Sequence, residues 1–205
     1  MLDAPLQPVL RQITTPLARR LLRSNVSADQ ITLFGFLVGM LALPALAMQA
    51  YGVALGLILI NRLSDGLDGA VARLTKPTDR GAFLDIALDF VFYAAIPLGF
   101  AVADPSANAL AAATLIAAFV GTGSSFLAFS IIAAKRDMPP DAYPAKGFYY
   151  LGGLTEGTET IGLFIAICLL PEYFGLIAYG FAAACALTTV SRIWQGWRVF
   201  NPIAQ

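Results

Sequence analysis

The chain has 205 residues, 58% of them hydrophobic and only 13% charged, with a mean hydropathy of +0.73. That composition excludes an ordinary soluble domain and makes lipid the solvent for most of the surface. Its 13 basic and 13 acidic residues cancel to zero net charge, and the absence of histidine excludes histidine acid-base catalysis, Ser-His-Asp triads and histidine-ligated zinc.

In chain order, residues 6–24, LQPVLRQITTPLARRLLRS, set Arg11, Arg19, Arg20 and Arg23 among leucines and isoleucines at helical spacing. This predicts an amphipathic helix on an anionic membrane surface. A solvated basic arm that only orients the chain fits the same residues. Residues 1–26 are read as this interfacial arm of a single membrane domain, 1–205. No apolar leader opens the chain, so the first span is expected to be retained. Ser27-Ala28-Asp29-Gln30 has the form of a capping box and predicts the start of that span. Charge-free runs at Ile31–Asn61, with a turn at Gln49-Ala50-Tyr51-Gly52, and at Pro105–Ala134 set the next boundaries. The expectation is an all-α integral membrane bundle of six transmembrane helices, at 30–48, 52–74, 82–103, 107–135, 154–170 and 173–197. The stretch KRDMPPDAYPAKGFYYLGG, 135–153, breaks helix with three prolines and three glycines and suits a lid. Cys168 and Cys185 fall inside spans and read as small packing residues. The expected outer turns, near Tyr51, Asp104 and Glu172, hold no lysine or arginine. Both termini are therefore expected on the cytoplasmic side of an inner membrane.

Acidic residues are expensive in a membrane span, because an ionised carboxylate is costly to desolvate. Here Asp65 and Asp68 lie three apart in the second span, and Asp85 and Asp89 four apart in the third, so each pair shares one helix face. The spans are antiparallel neighbours joined by LTKPTDR, 74–80, which lets both pairs converge in the inner third of the membrane. Adjacent carboxylates repel unless cations compensate. Arg62 and Arg73 are the basic residues of that stretch; Mg²⁺ or Mn²⁺, hard ions that take carboxylate oxygens and bridge to phosphates, compensates more fully. A buried ion-pair network without metal is the plainer alternative. Gly69, Ala72 and Gly81 keep the acidic face small enough for a ligand to approach the backbone, and Arg73 can hold a phosphate oxygen.

The segment SDGLDGAVARLTKPTDRGAFLDIALDF resembles the signature of CDP-alcohol phosphatidyltransferases, D-x-x-D-G-x-x-A-R, a spacer, then G-x-x-x-D-x-x-x-D. Asp65, Asp68, Gly69, Ala72, Arg73, Gly81, Asp85 and Asp89 occupy its eight fixed positions. The spacer after Arg73 has seven residues, one fewer than that signature. The resemblance implies a six-helix bundle acting as a homodimer, with a CDP-activated lipid such as CDP-diacylglycerol as donor and no nucleic-acid partner. An acceptor hydroxyl would attack the lipid-side phosphorus and expel CMP. It also implies two Mg²⁺ or Mn²⁺ ions, with Asp65, Asp68 and Asp85 as principal ligands and Asp89 as a general base that borders the metal. Gly69, Ala72 and Gly81 would line the cytidine pocket, with Arg73 near the phosphates.

The acceptor is less legible. Lys135 and Arg136 at the end of the fourth span and Arg192 near the end of the sixth could hold an acceptor phosphate, as in glycerol 3-phosphate, or simply anchor the inner face. Glu156 and Glu159, one turn apart at the start of the fifth span, could bind the hydroxyls of a polyol, an amine or a metal. Capping by Thr155 and a favourable acidic first turn account for Glu156 without substrate. Two other classes use similar residues. A cation transporter would spread its acids through membrane depth, and an Asp-rich prenyltransferase would need more helices than this chain offers.

Overall fold

A computed structural model describes residues 14–138 and 153–201, and among these every regular element is helical. The expectations for Arg11, for residues 1–13 and for 139–152 of the proposed lid lie outside the described residues. Helix α1 covers residues 14–23 and ends in a turn at Asn25, whose φ of 56° suits an asparagine. Helix α2, Ala28–Met40, opens on the expected capping box: Gln30 N–H donates to Ser27 Oγ at 3.3 Å, and Ser27 N–H to Gln30 Oε1 at 2.9 Å.

The first span is not one continuous helix. It breaks at Leu41 and resumes as α3, Ala42–Ala47. Pro44 explains the break, because it has no N–H for the carbonyl of Met40 and its ring crowds that turn. The expected turn follows, with Gln49 at φ 59°, and leads into α4, Tyr51–Leu74. The connection from α4 to α5, Asp79–Ala103, is shorter than the LTKPTDR segment suggested and comprises only residues 75–78. Thr78 caps α5 by accepting from Gly81 N–H at 3.1 Å. Pro77, just before that cap, marks where helix cannot continue. Asp104 then caps α6, Pro105–Lys135, accepting from Ala107 N–H at 3.0 Å. Helix α7, Gly157–Leu169, a short 3₁₀ turn at Pro171–Tyr173 and α8, Phe174–Val199, complete the bundle.

Among the described residues, four segments are long and apolar enough to cross a membrane: Ala28–Ala47, Asp79–Ala103, Pro105–Lys135 and Pro171–Val199. The expected count of six is therefore not matched by these criteria, for two physical reasons. Helix α4 is 24 residues long but carries the charged residues Arg62, Asp65, Asp68 and Arg73. Helix α7 has 13 residues, about 20 Å at 1.5 Å per residue, which is less than a hydrocarbon core. Outward-facing Leu110 and Leu176 are 73% and 75% exposed, tolerable in lipid but not as a continuous surface in water.

Aromatic rings fill the centre. Phe164 of α7 meets Phe92, Tyr93 and Phe119 edge-on, with centroids 5.6–6.3 Å apart. Toward the cleft described below, α2 lies against both α4 and α5. Its approach to α4 depends on Gly35 and Gly39, a small-xxx-small pair. A Cβ at Gly39 would stand 2.8–2.9 Å from the Asn61 side chain. Gly39→Ala should therefore destabilise the bundle by about 1–3 kcal/mol through overpacking. Gly56→Ala, where a Cβ meets nothing within 4 Å, serves as control. Thermal unfolding of the purified variants in detergent checks this, and an unchanged midpoint for Gly39→Ala would contradict the packing argument.

Candidate active site

Helix geometry gives α4 one polar face, formed by Arg62, Asp65 and Asp68 at intervals of three. Across from it, α5 presents Asp85 and Asp89, and α2 closes the back with Thr32. One carboxylate oxygen each from Asp65, Asp68 and Asp85 lies within 4.8 Å of the other two. Octahedral coordination at 2.0–2.1 Å sets oxygen-oxygen separations of about 3–4 Å, so a slight contraction around one Mg²⁺ or Mn²⁺ suffices. The donors are hard oxygens only, which suits these ions. Three like charges at this spacing need such a cation to remain ionised together.

Burial grades across the cluster, from Asp68 at 6% exposure to an exposed Asp85, so the site opens on the α5 side. At the buried end, Thr32 Oγ1 donates to Asp68 Oδ2 at 2.5 Å and fixes that carboxylate. The fourth acid is held differently. Arg62 Nη2 donates to Asp89 Oδ1 at 2.6 Å and Nη1 to Oδ2 at 3.4 Å. Asp89 therefore sits at the edge of the three-carboxylate group and is joined to it through Arg62, whose Nη1 is also 3.8 Å from Asp65 Oδ1.

The small residues of the acidic face also have visible surroundings. A Cβ at Gly69 would lie 3.2 Å from Arg73 Nη1, so the guanidinium folds back along α4 over Gly69. Ala72 is half-buried one turn beyond Asp68. Gly81 is pressed by Asp29 and Thr78, each with an oxygen 3.2 Å from where its Cβ would be. Asp29 itself accepts from Arg80 Nε at 2.7 Å, which ties the start of α2 to the start of α5.

A family model described as CDP-alcohol phosphatidyltransferase matches residues 25–192. The chain belongs to this family. Among relatives, the inner membrane protein YnjF of Escherichia coli (strain K12) is 52% identical over 197 residues, covering 96% of each chain. The archaetidylinositol phosphate synthase of Pyrococcus horikoshii is 26% identical over 191 residues, 93% of this chain and 94% of the relative. Two crystal structures of the Mycobacterium tuberculosis phosphatidylinositol phosphate synthase are similar in fold. The complex with manganese and citrate has a TM-score of 0.67 at 25% identity, covering 90% of this chain and 88% of that one. The CDP-DAG-bound form has a TM-score of 0.65 at 25% identity, covering 91% and 94%.

In this member of the family the residues singled out for the acceptor are not gathered like the acids. Lys135 is exposed at the end of α6. Arg136 Nη2 donates to the Phe200 carbonyl at 3.1 Å and its guanidinium covers the Phe200 ring at 5.2 Å, bracing the end of α8. Arg192 is buried at 7% exposure, donates from Nη1 to the Thr122 carbonyl at 3.1 Å and lies 5.6 Å from the Phe126 ring centroid. Glu156 and Glu159 form a capping box at the start of α7, in which Glu159 Oε2 accepts from Glu156 N–H at 3.2 Å; Glu156 Oε1 also accepts from Gly153 N–H, before the helix, at 3.1 Å. Thr155 is thus not the cap; its hydroxyl bonds Thr188 Oγ1 at 3.1 Å.

Two residues at the acidic cleft, Thr32 and Asn61, were not singled out from sequence. Thr32, Gly35 and Gly39 share one face of α2 at spacings of three and four, so the glycine pair carried a usable sign that Thr32 points at α4. Asn61 had no such sign. Its Nδ2 donates to the Gly35 carbonyl at 3.0 Å while its Oδ1 accepts from Arg62 Nε at 2.7 Å, a role set by tertiary contact.

Proposed function

We propose that this inner-membrane chain transfers the phosphatidyl-type group of a CDP-activated lipid, CDP-diacylglycerol, to a hydroxyl of a small alcohol and releases CMP. The observation that carries this reading is the convergence of Asp65, Asp68 and Asp85 within 4.8 Å, beside Gly69 and Arg73 on one helix face. The manganese and CDP-DAG complexes of the tuberculosis synthase support it. These three aspartates would hold Mg²⁺ or Mn²⁺, which neutralises pyrophosphate charge and steadies the leaving CMP.

The protein's own groups do the rest. Gly69, Ala72 and Gly81 would border the cytidine, with Arg73, which lies over Gly69, near the phosphates. A carboxylate offers about four lone-pair sites, and Arg62 uses two on Asp89. The others can accept the acceptor hydroxyl's proton as the new oxygen-phosphorus bond forms and the pyrophosphate bond breaks. The acyl chains stay in the bilayer while the headgroup reacts on the cytoplasmic side, where the basic residues cluster. For the acceptor, a polyol or polyol phosphate such as glycerol 3-phosphate, buried Arg192 is the favoured cation, with Lys135 as its exposed companion. Arg136, Glu156 and Glu159 already serve helix ends.

CMP release by the purified chain from CDP-diacylglycerol, assayed over a panel of alcohols, tests the reading. EDTA should abolish release, Mg²⁺ or Mn²⁺ should restore it, and Ca²⁺, which prefers longer and looser coordination, should not. Full activity in EDTA would refute the metal centre. No CMP from any alcohol would refute the transferase reading.

A further inference from the structure

Helix α1 keeps its apolar residues for the protein. Ala18 is fully buried against Ile31, Leu67, Ala70 and Val71, and Leu21 and Leu22 pack against the same cluster. Of the large apolar side chains of α1, only Leu17 is exposed, at 42%. A helix that inserts into the bilayer boundary needs an open apolar face, and α1 has already used most of its own. What it turns outward is charge. Arg19, Arg20 and Arg23 are exposed and fall with Pro16 on one side of the helix, at spacings of three and four. These residues border an open recess of about 530 Å³. Among the described residues, no carboxylate pairs with any of the three arginines. By contrast, Arg62, Arg80, Arg136 and Arg192 each donate to an acceptor of the protein.

Like charges one turn apart repel, so three of them on one short helix face cost stability unless an anion meets them. The helix dipole favours cations in a last turn, which suits Arg20 and Arg23 but leaves Arg19 unexplained. Chain connection fixes where such an anion must be. Only residues 24–27 separate α1 from α2, where the first membrane-crossing segment begins, so α1 lies at the membrane surface. Leu17 stands one turn from Arg20, an apolar neighbour that suits a lipid better than a free ion. Guanidinium groups match phosphate oxygens with paired N–H bonds. We infer that Arg19, Arg20 and Arg23 form a seat for the phosphate headgroup of an anionic phospholipid. Packing through Ala18 holds α1 to the bundle, and the attraction for lipid is electrostatic, without insertion of the helix. None of the three arginines lines the acidic cleft.

The test is native mass spectrometry of the purified full-length protein, released from detergent micelles that contain equal amounts of phosphatidylglycerol and phosphatidylcholine. Wild type should retain phosphatidylglycerol at least about tenfold over phosphatidylcholine at low salt, since each arginine near a membrane surface contributes several-fold. In about 0.5 M ammonium acetate that preference should shrink toward parity, because salt screens exposed charges. Arg19→Gln, Arg20→Gln and Arg23→Gln combined should abolish it at low salt. Lysine at the same three positions should keep most of it, and Lys76→Gln, an exposed charge between α4 and α5, should keep all of it. Excess inorganic phosphate should leave the lipid in place; displacement would make this a plain anion site and overturn the lipid assignment. Equal retention of both lipids by wild type would also overturn the inference, and that result needs no variant to fold. A merely structural role for the arginines would lower the unfolding midpoint of the triple glutamine variant while its lipid preference stayed as in wild type, which would refute the seat. Should the triple variant fail to fold, Arg19→Gln alone should cut the preference about fivefold, and no change there would be equally decisive against the seat.

Discussion

Asp68→Asn is expected to lower CMP release by about 10³-fold or more, equivalent to about 4 kcal/mol of barrier, the scale of charge stabilisation that a bound dication supplies. Asp68 is the most buried of the site's carboxylates, at 6% exposure, and Thr32 fixes it at 2.5 Å. Asparagine retains the shape and an oxygen to accept from Thr32, so the packing of α2 on α4 should survive. What it removes is one negative charge from a three-carboxylate group whose affinity for a hard cation depends on that charge. Mn²⁺ affinity and CDP-lipid affinity should fall together, since an ion held by these carboxylates would neutralise the pyrophosphate charge. Thr32→Val is the milder companion: it keeps the charge and loses only the hydrogen bond that orients it, an outer-shell change of the kind that costs about 10- to 100-fold. If Asp68→Asn binds Mn²⁺ like wild type, the carboxylates do not form the metal centre.

The sequence made some of this arrangement legible and hid the rest, for physical reasons. Spans could be read because lipid demands long apolar runs, and the acids stood out because few carboxylates are tolerated in such runs. Their spacings of three and four put Asp65 with Asp68 and Asp85 with Asp89, and the structure brings both pairs to one cleft. The capping box at Ser27 and Gln30 was equally local, and it forms as written. What could not be read were partners chosen across the bundle. Nothing in the spacing said that Arg62 would take Asp89, or that Asn61 would hold Arg62 while bonding the Gly35 carbonyl. Glu156 and Glu159 show a local role that their spacing could equally have signalled. Their depth and spacing suggested substrate, yet their oxygens close a capping box at the start of α7. A carboxylate there also meets the positive end of the helix dipole, so its presence needs no ligand.

The same distinction between shape and charge separates Asp89 from the other three acids. Asp89→Asn should slow turnover by about 10² to 10⁴, the usual contribution of a general base, or about 3 to 5 kcal/mol of barrier. It should leave CDP-lipid affinity close to wild type, because the three carboxylates that converge within 4.8 Å do not include it. The amide cannot take the proton from the acceptor hydroxyl, but it can still accept a hydrogen bond from Arg62. One complication is structural: Arg62 loses its counter-charge, and a buried guanidinium without one is destabilising. Asn61, Tyr93 and Asp65, the last 3.8 Å away, still surround it. The double variant Asp89→Asn with Arg62→Gln resolves the two effects. A defect that arises from the stranded guanidinium should be relieved when Arg62 is neutralised, whereas loss of the base should persist. The measurements are CDP-lipid dissociation constants and single-turnover rates at saturating Mg²⁺ for Asp68→Asn, Asp89→Asn and the double variant. Should Asp89→Asn lose CDP-lipid affinity as severely as Asp68→Asn, Asp89 belongs with the metal ligands and the proton must go elsewhere. Should the double variant recover the wild-type rate, the slow turnover of Asp89→Asn is a packing defect at Arg62, and no base is needed at that position.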